Sequence, residues 1–106
     1  MEKSELIGQT LIYEYDNGES YKLEFEESTL VWTCLAGVAK GHSGIEKYDF
    51  VEVASEIIFI SWLEQSREVV SIVFNLNTMK VFCSYVYEIN KHQWKGKIIS
   101  FKRSKG

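Results

Sequence analysis

The chain has 106 residues, 45% of them hydrophobic and 25% charged, the balance of one ordinary globular domain spanning 1–106. Disorder needs fewer apolar residues than this, and no apolar run is long enough for a membrane-spanning helix. A net charge of −3 disfavours bulk nucleic-acid binding, and Met1-Glu2-Lys3-Ser4-Glu5 lacks the basic-then-apolar plan of a secretory leader. A cytoplasmic protein with neither a nucleic-acid nor a membrane partner is expected.

The charge is unevenly placed. Residues 89–106 hold Lys91, Lys95, Lys97, Lys102, Arg103 and Lys105 and no acid, so residues 1–88 carry the other six basic groups and all 15 acids, a net −9. A basic end can bind phosphates. With Trp94 and Phe101 as its only aromatics it makes a poor stacking platform, and pairing of the last strand with an acidic neighbour is the preferred account.

The elements follow in chain order. A turn is possible near Ser4 to Gln9. In Tyr13-Glu14-Tyr15-Asp16-Asn17-Gly18-Glu19-Ser20-Tyr21, Asn-Gly marks a two-residue hairpin. Leu11, Tyr13 and Tyr15 alternate with Ile12 and Glu14 on the first strand. Tyr21, Leu23 and Phe25 alternate with Lys22, Glu24 and Glu26 on the second, a period of two with one wet and one buried face. Strand three runs from about Leu30 to Leu35, followed by the glycine-spaced segment Gly37-Val38-Ala39-Lys40-Gly41-His42-Ser43-Gly44. Strand four covers Ile45 to Val53, and strand five Ile57 to Leu63. A polar turn, Glu64 to Glu68, leads to strand six, Val69 to Asn75. Strand seven is Lys80 to Glu88. A turn at Asn90-Lys91-His92-Gln93 precedes strand eight, Trp94 to Phe101.

Eight strands on short turns argue for sequential antiparallel neighbours. An open sheet would leave two unpaired edges. Closure into an eight-stranded up-and-down β-barrel removes them and leaves an interior wide enough for one small ligand. The expected class is therefore all-β. A β-sandwich would need longer crossing connections.

Several polar groups fall on inward faces. Tyr13 and Tyr15, two apart, project from one face of strand one, with Tyr21 across the hairpin. Ile58, Ile60, Trp62 and Glu64 share a face of strand five, which brings a carboxylate to the barrel rim, where burial would raise its pKa and suit it to proton transfer. Tyrosine is also an ordinary strand residue, and a turn acid is ordinarily solvated. Cys34 and Cys83 read as two buried core thiols without metal-ligand spacing. His42 and His92 have no evident third ligand, so neither a metal nor a cofactor is expected.

The run Gly8 with Leu11-Ile12-Tyr13-Glu14-Tyr15-Asp16-Asn17-Gly18 and Tyr21, the loop Gly37-Val38-Ala39-Lys40-Gly41, and Ile60-Ser61-Trp62-Leu63-Glu64 resemble the hairpin, glycine loop and Ser-Trp-x-Glu strand end of phenolic acid decarboxylases and of the related MoaF-like proteins. Val70 to Asn75 and Lys80-Val81-Phe82 continue in register, so the resemblance covers roughly 8–87. Both groups are lipocalin-like (calycin) barrels. The resemblance implies function for Tyr13, Tyr15 and Glu64, and places Tyr21 at the further hairpin tyrosine. At the decarboxylases' functional arginine this chain has His42. Arginine forks onto a carboxylate; histidine offers one or two donors. That departure, and a shorter C-terminal part, favour the MoaF-like group.

The leading expectation is a MoaF-like barrel, non-enzymatic or of undefined biochemical role, that binds a small aromatic or carboxylate-bearing molecule. Tyr13, Tyr15, Tyr21, Trp62 and Tyr85 would supply ring area, and His42 and Glu64 would orient the ligand. The alternative is a decarboxylase of para-hydroxycinnamic acids, with Tyr13, Tyr15, Glu64 and His42 as its catalytic residues. A third reading is an interaction module, since apolar residues on both faces of strands five and six would suit a homodimer.

Overall fold

The computed structural model describes residues 1–102. Arg103 and Lys105 of the basic end lie outside the described residues. A short helix, α1 (Lys3–Leu6), precedes nine strands: β1 (Thr10–Tyr15), β2 (Ser20–Phe25), β3 (Thr29–Ala36), β4 (Ser43–Lys47), β5 (Asp49–Ala54), β6 (Ile57–Leu63), β7 (Val69–Asn75), β8 (Lys80–Tyr87) and β9 (Asn90–Lys102). They form one antiparallel sheet in the order β4-β3-β2-β1-β9-β8-β7-β6-β5. Every hydrogen-bonded neighbour is a sequence neighbour except β1 and β9, whose pairing wraps the meander into a barrel.

The barrel has nine strands where the sequence pattern predicts eight, because strand four breaks at Tyr48. Its first half, β4, pairs with β3, and its second half, β5, with β6. Between them Tyr48 turns inward and its hydroxyl donates to the Glu26 carbonyl at 2.7 Å. A single straight strand could not follow both neighbours around so narrow a curve; the corner lets one run of chain ladder with each in turn. Further curvature comes from register shifts at Ile12/Tyr13 against β9, at Ser20/Tyr21 against β3 and at Glu52/Ala54 against β6.

Two turns also differ from expectation. The first hairpin closes on a Tyr15–Glu19 pair (Tyr15 N–H to Glu19 O, 2.8 Å) around the three residues Asp16-Asn17-Gly18, rather than on a two-residue turn. Gly18 takes the positive φ, +93°, and Asn17 caps the loop by accepting the Glu19 N–H at 2.9 Å. The last hairpin turns at Glu88-Ile89, so the predicted Asn90–Gln93 turn is the start of β9. Glu88 adopts φ +56° there, a conformation that no local glycine signals. In β9, Lys97 stands across from the acid Glu14 on β1 and from Lys80 on β8, while Lys91, Lys95 and Lys102 stand across from Val86, Phe82 and Thr10.

Antiparallel connections alternate between the two barrel ends, and the inward rows change character from one end to the other. At the α1 end the interior is apolar and closed: Leu6, Leu11, Leu23, Phe25, Leu30, Ile58, Ile60, Ile72, Phe74 and Val81 are fully buried. Each such side chain contributes roughly 1.5–3 kcal/mol of burial. Toward the other end the same rows become aromatic, then acidic: Leu11 gives way to Tyr13 and Tyr15, and Ile58 and Ile60 to Trp62 and Glu64. On the outside of β6 and β7, Phe59 and Val73 are half-buried and Leu63 is exposed. Among the described residues, no helix is long and apolar enough to cross a membrane.

Candidate functional site

The open end of the barrel holds a cavity of about 460 Å³. All seven residues singled out from the sequence line it: Tyr13, Tyr15, Tyr21, His42, Trp62, Glu64 and Tyr85. Register explains the gathering. Tyr13 lies directly across from Tyr21, Trp62 across from Val70, and Val70 across from Tyr85, so their side chains share the inner face. His42 reaches the mouth from the β3–β4 loop, which is tied down by Cys34 N–H to His42 O and His42 N–H to Ala39 O, both at 2.9 Å.

The floor is a cluster of rings. Tyr13 meets Tyr15 edge-on at 5.3 Å and stacks on Tyr21 at 5.9 Å; Tyr15 and Tyr85 both approach Trp94, at 5.8 and 5.6 Å. Burial pushes the phenols of Tyr13 and Tyr15 well above their ordinary range, so both stay protonated and can donate. Burial likewise pushes the Cys83 thiol to about 11, and Cys83, like Cys34, is buried and unbridged.

Glu64 is the most perturbed acid of the site. The β6–β7 turn pairs Glu64 with Glu68 (Glu64 N–H to Glu68 O, 2.8 Å), which sets their carboxyl groups side by side on the inner face. Burial first, then the Glu68 carboxyl, pushes Glu64 up to about 7, against the pull of the Trp62 Nε1–H bond at 3.1 Å. The hydrogen bond from Glu64 holds Glu68 below its usual value. The pair therefore keeps one proton, on the Glu64 side, as pH rises toward about 7.

Sequence reasoning missed Glu19, Trp32, Glu68 and Trp94, which also line the cavity. Register would have found them. Glu19 closes the hairpin against Tyr15, Trp32 opposes inward Leu23, Trp94 opposes Cys83, and Glu68 opposes Glu64 across the turn. Two acids of the site are held by ring donors: Tyr21 Oη donates to Glu19 at 2.9 Å and Trp62 Nε1 to Glu64. Behind the lining, Trp32 Nε1 donates to the buried Glu46 at 3.0 Å. Gly44 makes that bond possible, because a Cβ there would lie 2.6 Å from Trp32 Nε1. Among the described residues, no group of three or more His, Cys, Asp or Glu is placed to hold a metal ion.

A meandering barrel, closed at one end and hollow at the other, is the lipocalin-like architecture. The chain belongs to the MoaF C-terminal domain family, whose profile matches residues 1–106. It is 31% identical over 61 residues to Protein MoaF of Klebsiella aerogenes, covering 57% of this chain and 23% of that relative's length. In three dimensions it is similar to a crystal structure from Burkholderia vietnamiensis described as that of a candidate beta-lactamase, with a TM-score of 0.83 over 88% of this chain and 92% of that one. At 19% identity this likeness concerns the fold alone.

Proposed function

We propose that this MoaF-type barrel binds a small aromatic compound within its open end. The observation that carries the reading is the cavity itself: about 460 Å³, floored by tyrosine and tryptophan rings and edged by a few convergent polar groups. That volume falls in the range of small-molecule sites, and mixed aromatic lining with sparse polar groups is their usual composition. Tyr13 and Tyr15 would donate hydrogen bonds to the ligand, Trp62 and Trp94 would cover its faces, and His42 would contact it at the mouth. A carboxylate on the ligand would find little counter-charge, since neither Lys nor Arg lines the cavity among the described residues. The test is tryptophan fluorescence, excited at the red edge of the indole band, titrated with phenol and para-cresol. Saturable quenching that is lost in Tyr13→Phe/Tyr15→Phe supports binding in the cavity; quenching that persists unchanged in that variant refutes this site.

A second reading, decarboxylation of para-hydroxycinnamic acids, is favoured by one observation: Glu64, whose carboxyl is pushed up to about 7 chiefly by burial, shares the cavity with Tyr13 and Tyr15. A proton donor of this kind could protonate the alkene as carbon dioxide leaves. The absorbance of para-coumaric acid followed over time, with Glu64→Gln as control, decides it. A cinnamate band that does not decline sinks the decarboxylase.

A further inference from the structure

The notable asymmetry of the cavity is its charge. Glu19 stands at the β1–β2 turn and Glu64 and Glu68 at the β6–β7 turn, while His42 is the one basic side chain lining the cavity among the described residues. Glu46 adds a carboxylate behind Trp32 and bears electrostatically on Glu64. An isolated acidic cluster would be no site, but these acids edge a pocket at the barrel's open end that is floored by tyrosine and tryptophan rings. The π-faces of tyrosine and tryptophan attract cations independently of any carboxylate. Rings and acids therefore favour the same sign of charge on whatever the pocket holds.

We propose that the ligand of this cavity is a small organic cation, an aromatic or apolar body carrying an ammonium group, with the body among the rings and the ammonium group between Glu19 and the Glu64–Glu68 pair. The inference rests on the aromatic-ligand reading above and adds the charge of the ligand to it. The hydrogen-bonding chemistry is complementary. An ammonium group offers three donors and no acceptor, and a carboxylate that already accepts one ring N–H or O–H keeps further lone pairs free. Glu64 accepts from Trp62 in this way, and Glu19 from Tyr21 at one oxygen and, at 3.4 Å, from Asn17 Nδ2 at the other. A ligand carboxylate would instead meet these oxygens as like charge.

The proton on the Glu64–Glu68 pair gives the idea a second readout. The groups around Glu64 are Glu68 across the turn, Trp62 on its own strand side, Glu46 from β4, Tyr85 beyond Glu68 on β8, and, across the mouth, His42 and Glu19. A cation placed beside the pair favours its fully ionised form, so binding near neutral pH releases a proton to solvent.

Three compounds with the same ring test the proposal: phenethylamine, 2-phenylethanol and 3-phenylpropionate, titrated calorimetrically into the wild-type chain at low salt. The expected order is amine, then alcohol, then acid, with the amine at least about tenfold tighter than the alcohol. Heats in buffers of different ionisation enthalpy should show proton release with the amine and none with the alcohol. In Glu64→Gln/Glu68→Gln the ratio of amine to alcohol affinity should fall to about two or less. Glu19→Gln, a change on the other lip, should lower the same ratio and serves if the double variant folds poorly. Acid binding as tight as amine binding, or an amine preference intact in these variants, overturns the proposal. Alcohol and acid binding without the amine would overturn the charge inference and leave the aromatic-ligand reading standing. Failure of all three to bind would overturn both.

Discussion

Replacing Glu64 by Gln should stabilise the protein at alkaline pH and do little at acid pH. In the folded chain Glu64 is pushed from the ordinary 4.5 up to about 7, chiefly by burial. A carboxyl group whose folded pKa is raised holds its proton more tightly than the unfolded chain does. Folding stability therefore falls as pH rises from about 4.5 to 7, then stays at the lower level. At about 1.36 kcal/mol per pKa unit, the cost has a ceiling of about 3.4 kcal/mol. Glu64 is only half-buried at the mouth, and solvent screening reduces this to about 1 kcal/mol. Gln keeps an acceptor for Trp62 Nε1 and gains a donor toward Glu68, so the two hydrogen bonds of the site survive. A change of about 1 kcal/mol in a domain of this size moves the melting temperature by roughly 4–8 °C. Thermal unfolding followed by circular dichroism at about pH 4 and pH 8 is the assay. The variant should melt with the wild type at the acid end and several degrees above it at the alkaline end. Equal differences at both pH values, or a variant that melts lower at pH 8, would refute the account of Glu64 as a carboxyl held against its preference.

Three further outcomes test the packing. Gly96→Ala places a Cβ 1.9 Å from the Glu14 carbonyl oxygen where β9 crosses β1; backbone must move, and urea denaturation should show a loss of about 2 kcal/mol or more, whereas a loss below about 0.5 kcal/mol contradicts the close crossing. Gly44→Ala drives a Cβ into the Trp32 indole and should break the bond to Glu46, seen as altered tryptophan emission together with a melting temperature lowered by several degrees. With Cys83 pushed to about 11 by burial, in a Cys34→Ser background its thiol should react with a disulfide reagent at pH 8 about 100-fold more slowly folded than unfolded. A rate ratio near one would mean the thiol is open to solvent.

Much of this was legible in the sequence. Alternation in 57–63 and 69–75 predicts β6 and β7 to the residue, since each strand buries one face and its side chains must alternate. The same rule puts Tyr13, Tyr15, Trp62 and Glu64 on inward faces, and antiparallel neighbours bring those rows together. The break at Tyr48 left no such mark. Burial alternates straight through it from Ile45 to Val53 as in an unbroken strand, and the corner exists because the barrel's curvature makes that run leave β3 for β6. The Glu88-Ile89 turn was hidden for a related reason: a tight hairpin imposes a positive φ on a residue that would not choose it alone.

What the sequence by itself determined is the strand pattern and the polarity of its inward rows, apolar at one end and tyrosine, tryptophan and glutamate at the other. Both follow from local alternation and from the hydrophobic effect, which act within a few residues. Tertiary structure alone decided the chemistry of the mouth. Glu19, Glu46 and the Glu64–Glu68 turn come from three separate stretches of chain and gather only when register and barrel curvature are fixed. Only there does Glu64 lose enough water, and gain a close enough acidic neighbour, to keep its proton near neutral pH.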